Sequence, residues 1–127
     1  MTIGTQVPLG SGNEPLRTKG GGEVFVYVIG KLRDESDTAL NENIELAVHT
    51  GLQLAAKGHI PFIHHKNFES FNTVFTHDEL MELRISVLER CDAVFVMSSA
   101  KRSKSSQEEE RKAREKGKIV FTSLQEV

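Results

Sequence analysis

The sequence predicts an α/β fold, a small parallel sheet of four to five strands packed between layers of helices. Two observations carry this. Four short β-branched and aromatic segments alternate with stretches whose apolar residues recur at helical spacing. The first segment, Val24–Ile29 (VFVYVI), is also apolar on both faces, as a central strand covered by helices on each side must be.

Gly30 ends that first strand. Over Thr38–Lys57, the residues Leu40, Ile44, Ala47, Val48, Gly51, Leu54 and Ala55 follow a period near 3.6, which predicts the first helix, closed by Gly58. Ile60–Ile63 is the second strand, and His64–Phe75 reads as a loop rich in aromatics and Asn. Thr76-His-Asp-Glu79 has capping-box spacing and opens a helix with Leu80, Leu83, Val87 and Leu88 on its buried face. Ala93–Met97 is the third strand, Ser106–Lys116 a third helix stopped by Gly117, and Lys118–Thr122 a fourth strand. In such sheets ligands bind beyond the carboxyl ends of the strands. Those ends are Gly30–Arg33, His64–Asn67 and Ser98–Ser106.

Ahead of these elements, residues 1–22 carry two of the three prolines and end in a triple glycine, which predicts a flexible leader before one domain over 23–127. The composition, 38% hydrophobic and 27% charged, is that of an ordinary globular chain. With a net charge of −2 the molecule is not built to track a nucleic-acid polymer. A local basic patch nevertheless lies between Lys101 and Lys118, suited to a small phosphorylated ligand. The single cysteine, Cys91, excludes an internal disulfide and fits a reducing compartment. No run reaches membrane-spanning length and no signal-peptide pattern opens the chain, so a cytoplasmic location without a membrane partner is expected.

The stretch from Cys91 to Ala113 carries most of the candidate chemistry. A strand there runs into a serine-rich basic loop and then a helix, whose unpaired N–H groups make an anion site with Ser103, Ser105 and Ser106 beside them. Of the three consecutive glutamates, Glu108 faces Lys112 and Glu110 faces Arg114 at a spacing of four, as solvated pairs. Glu109 faces Ala113, the only apolar residue of that helix, and so is the carboxylate expected to point inward. The alternative is a plain solvated face, with Glu109 serving a capping box from Ser106. Tyr27 and Arg33 lie at or near the end of the first strand. The adjacent His64 and His65 do not suggest a metal, because neighbours on an extended chain point to opposite faces. No cofactor motif of GxGxxG form follows the first strand.

Four segments together resemble a known family. They are Tyr27-Val-Ile-Gly30-Lys-Leu-Arg33, Gly58-His-Ile-Pro61-Phe-Ile-His-His65-Lys-Asn67, Leu88-Glu-Arg-Cys91-Asp92-Ala93, and Ser103-Lys-Ser105-Ser106-Gln-Glu-Glu109 with Ala113 four residues on. In order and spacing they are similar to the nucleoside 2-deoxyribosyltransferase superfamily, which includes 2′-deoxynucleoside 5′-monophosphate N-glycosidases. The resemblance implies a flavodoxin- or Rossmann-like three-layer sandwich. It also implies cleavage of a nucleoside or nucleotide N-glycosidic bond, or 2-deoxyribosyl transfer, without a cofactor or metal. On this likeness Glu109 is the nucleophile and Tyr27 lies close to the reacting centre. Gly30, Arg33, His65, Arg84, Ser103 and Ser105 contact the substrate, and Ser103 holds a 5′-phosphate or 5′-hydroxyl.

Arg84 stands where the family commonly has an aspartate, eight residues before Asp92. An arginine there is expected to depress the Glu109 carboxyl and to clamp an anion. It also motivates an alternative, a nucleotide-binding module of the same fold without turnover. A third reading is a purely structural component. Family members commonly assemble as homodimers or larger, and Phe68–Phe75 is apolar enough for such a contact.

Overall fold

The computed structural model describes residues Val24–Val127; the leader expected over residues 1–22 lies outside the described residues. A four-stranded, all-parallel sheet runs β2-β1-β3-β4, with β1 at Phe25–Ile29, β2 at Ile60–Phe62, β3 at Ala93–Val96 and β4 at Ile119–Phe121. Tyr27 pairs in register with Phe62 on one side and Val94 on the other, at the centre of the sheet. The helices are α1 (Asp37–Ala56), a single turn α2 (His64–Asn67), α3 (His77–Arg90) and α4 (Lys104–Glu115).

Alternation along β1 divides the core into two. Val24, Val26 and Val28 pack with Leu54 of α1, Ala93 and Phe95 on one face. Tyr27 and Ile29 pack with Leu88 of α3, Val94 and Ala113 of α4 on the other. The molecule is therefore a three-layer α/β sandwich with both sheet faces covered, which is why β1 has no polar side of its own. Strand order reverses between β1 and β3, so the crevice at their carboxyl ends is the expected ligand position. Among the described residues no helix is long and apolar enough to cross a membrane.

Three local differences from the sequence expectation matter. The helix expected from Ser106 starts two residues earlier, because Ser103 is the N-cap: its Oγ accepts a hydrogen bond from Ser106 N at 3.1 Å. Ser106 is thus a first-turn residue facing the sheet, and Glu109 serves no capping box with it. Second, the segment after β2 is not a plain loop. The Ile63 carbonyl accepts from Lys66 N and Asn67 N at 3.1 and 3.0 Å, forming α2 and turning His64 and His65 inward, and Phe71–Thr73 adds a 3-10 turn. Third, Glu108 pairs with Arg111 rather than Lys112, the shorter three-residue step bringing the guanidinium onto its carboxylate. The capping box at Thr76 and Glu79 forms as expected. Gly58 and Gly117 close their helices with φ of 93° and 72°, a left-handed conformation suited to glycine.

Candidate functional site

Two adjoining clefts open beside the carboxyl ends of β1 and β3. One, of about 230 Å³, is walled by Leu32, Leu40, Ile44, Phe68 and Leu80, with His64, His65, Asn41, Ser70 and Asn72 among its polar groups. The other, of about 220 Å³, lies at the start of α4 among Lys31, Arg102, Lys104, Ser103 and Ser105. Leu32, Arg33, His77 and Arg84 line both. Each is smaller than the ~300–1,000 Å³ usual for a ligand pocket, and joined at their shared wall they reach that range.

Behind that wall lies a buried polar cluster. The Tyr27 hydroxyl donates to Glu109 Oε2 at 2.6 Å, and Arg84 Nε donates to the same oxygen at 2.7 Å. These are the short distances of hydrogen bonds to an ionised acceptor. Tyr27 and Glu109 are completely buried, and Arg84 nearly so. Three elements supply one side chain each, Tyr27 from β1, Arg84 from α3 and Glu109 from α4. Glu109 reaches the sheet because Ser106, Glu109 and Ala113 share the inward stripe of α4.

Burial pushes the Glu109 carboxyl above its ordinary value, and Arg84 and Tyr27 pull it back only in part. Arg84 pulls in the expected direction, yet the net value lies above the ordinary one. Desolvation of a wholly enclosed carboxyl outweighs the arginine. Burial likewise raises the Tyr27 phenol well above its usual range, and the Glu109 charge adds to this. Burial alone would lower the Arg84 guanidinium, and the Glu109 carboxylate reverses that, so Arg84 stays charged.

The histidine pair forms the floor of the larger cleft. The two rings stack at 3.9 Å between centroids, and His64 also stacks on Tyr27 at 5.8 Å. The premise that they lie on an extended chain is therefore wrong; one helical turn brings the rings side by side. His65 Nε2 donates to the Gly30 carbonyl at 3.1 Å, which assigns the neutral ring its Nε2 proton. Burial pushes His65 down to about 4, against the pull of that hydrogen bond, and burial takes His64 well below its ordinary value. Both rings are neutral near pH 7. Among the described residues no group of three or more His, Cys, Asp or Glu is placed to hold a metal ion.

Of the residues singled out from the sequence, Tyr27, Arg84 and Glu109 touch one another, and Gly30 and His65 form a second contact next to them. A Cβ at Gly30 would meet Met97 Sδ at 2.6 Å, so a larger residue there would have to displace that side chain. Arg33, Arg84, Ser103 and Ser105 line the cationic cleft. Glu109 and Tyr27 line neither cleft, because Arg84 lies between them and the opening. Sequence reasoning missed His77, which lines both clefts and places Nε2 at 3.4 Å from Ser105 Oγ. Its one local signal is its place directly after the Thr76 cap. The stacking of His64 on Tyr27 depends on the turn of α2, which the sequence does not announce. Cys91 is buried and free, its thiol pushed up to about 11 by desolvation, which makes it unreactive.

No protein-family model matches this chain, and no curated protein or solved structure matches it either.

Proposed function

We propose that this protein binds a small phosphorylated nucleoside-like molecule in the joined clefts and holds it without turnover. The observation that carries this reading is the division of the crevice. An apolar chamber with neutral histidines adjoins a cationic end at the N-terminus of a twelve-residue helix. A ring system suits the first, where apolar walls exclude water and a few polar groups read its edge. A phosphate suits the second, where helix N–H groups and Arg33, Arg102 and Lys104 converge. The enclosed position of Glu109, with Arg84 across its exit, favours holding over cleavage.

The four-segment resemblance supports a nucleoside or nucleotide as the ligand class. Calorimetric titration with nucleoside 5′-monophosphates and their parent nucleosides tests the proposal. The monophosphate is expected to bind more tightly, with an advantage that shrinks as salt is raised. Absence of binding by every member of the panel would remove this reading.

A second reading, N-glycosidic cleavage or 2-deoxyribosyl transfer, is favoured by the 2.6 Å contact between the Tyr27 hydroxyl and Glu109. A carboxylate next to a phenol can attack the anomeric carbon as the N-glycosidic bond breaks and the base leaves with a proton from water, giving a sugar ester that a second water opens to free sugar and carboxylate. It requires Arg84 to leave Glu109 first. Free base released from deoxynucleoside monophosphates, followed by chromatography at high protein concentration, would favour this reading over simple binding.

We further propose that the protein works in the cytoplasm, in keeping with its unpaired Cys91, and as a homodimer or larger assembly. Val74 and Phe75, exposed at the end of the aromatic segment, suit a subunit contact. Light scattering is expected to give at least twice the chain mass, and V74D/F75D to reduce it to a monomer.

A further inference from the structure

We infer that Glu109 and Tyr27 serve ligand binding by aiming Arg84, whose outer amino groups receive a phosphate oxyanion in the cationic cleft. This rests on the binding reading above and makes Glu109 a positioning carboxylate. Arg84 spends Nε on Glu109 and also lies within hydrogen-bonding reach of the Tyr27 hydroxyl, and no carboxylate or carbonyl among the described residues accepts from its terminal amino groups. Neither belongs to the sealed polar atoms that lack a partner, and Arg84 lines both clefts. A guanidinium held at Nε keeps its terminal N–H groups free for a bidentate contact.

The same geometry explains why three buried polar groups are worth keeping. A free arginine loses much side-chain freedom when it grips an anion, and one already fixed loses less. Arg84 is nine-tenths buried and is fixed by a carboxylate that Tyr27 fixes in turn. Two donors on Oε2 define where that oxygen sits, and Oε2 defines the direction of the guanidinium. The cleft into which Arg84 points also contains Ser103 and Ser105 at the start of α4. An oxyanion between them meets the helix N–H groups on one side and the arginine on the other. Lys31, which also lines this cleft, is partly neutralised by Asp34 at 3.4 Å, so Arg84 is the cation of the inner wall.

The test uses inorganic pyrophosphate as the probe and calorimetry as the measurement, with the full chain. Wild-type protein is expected to bind it. R84K, which keeps the charge and loses the fork, and E109Q, which loosens the aim, are each expected to weaken it by roughly ten- to a hundredfold. Y27F should weaken it less. A merely structural role would lower the melting temperature of the unliganded variants and leave the pyrophosphate affinity unchanged; that result overturns the inference. So does a wild-type protein that does not bind pyrophosphate. Pyrophosphate binding that depends on Arg84, without binding of any nucleotide, would overturn the nucleotide reading and keep this one. Should the variants fold poorly, 15N correlation spectra of the wild-type protein decide. The Arg84 Nε–H resonance should shift and persist at saturating pyrophosphate, and an unmoved resonance counts against the inference.

Discussion

Replacing Arg84 with methionine is expected to destabilise the fold by about 3–5 kcal/mol, read as a lower urea midpoint at constant slope. The variant leaves the Glu109 carboxylate in a site with no solvent exposure and only the Tyr27 hydroxyl to compensate it. The size of the loss reflects a stranded charge and is not the net worth of the pair. R84M/E109L, which removes both charges, is therefore expected to recover most or all of the stability. A large non-additive term in this double-mutant cycle would show that the two groups act as one unit. An R84M protein as stable as wild type would mean that Glu109 is protonated or reaches solvent.

Acidification should destabilise the protein well before ordinary carboxylates titrate. His65 titrates near 6.5 in the unfolded chain and at about 4 in the folded one, and the His64 value is also strongly lowered. A depressed folded value contributes stability that is complete above about pH 6.5 and is lost as pH falls towards the folded value. Between about pH 7.5 and about pH 5, His65 alone is expected to cost about 2 kcal/mol, and His64 adds a loss of the same sign. Glu109 works in the opposite sense. Its raised carboxyl favours the folded, protonated form on acidification, so part of the histidine effect is masked until E109Q removes it. Asp34, Glu108 and Glu126 have lowered values and matter only below the ordinary carboxylate range. H64F, which keeps the stack on Tyr27, should flatten the dependence. A stability profile level from neutral pH down to about pH 5 would contradict the buried, neutral pair.

These two expectations depend on parts of the site that the sequence disclosed unequally. The inward turn of Glu109 was legible, because on a helix of charged residues only the stripe through Ala113 can meet a sheet. The sheet itself was legible for the same kind of reason: VFVYVI has no polar face, and each following segment keeps a clear period. Helix starts were less so. Ser103, Ser105 and Ser106 all cap well, and only tertiary packing selects Ser103 by placing Ser106 and Glu109 on the buried stripe. The stack of His64 on His65 was hidden, since two adjacent polar residues after a strand give no periodicity from which to read a turn. The contact of Arg84 with Glu109 joins residues 25 apart on different helices, and nothing local to either announces it. The sequence could indicate that an arginine was present near the site but not which of its nitrogens was occupied.

The most direct test is a crystal structure of the wild-type protein soaked with a nucleoside 5′-monophosphate that binds in solution. The ring is expected beside His64 and Phe68, with the phosphate between Ser103, Ser105 and the outer nitrogens of Arg84, and with Arg84 Nε still on Glu109. A nucleotide bound elsewhere, or one whose sugar touches Glu109 after Arg84 has swung away, would contradict this account.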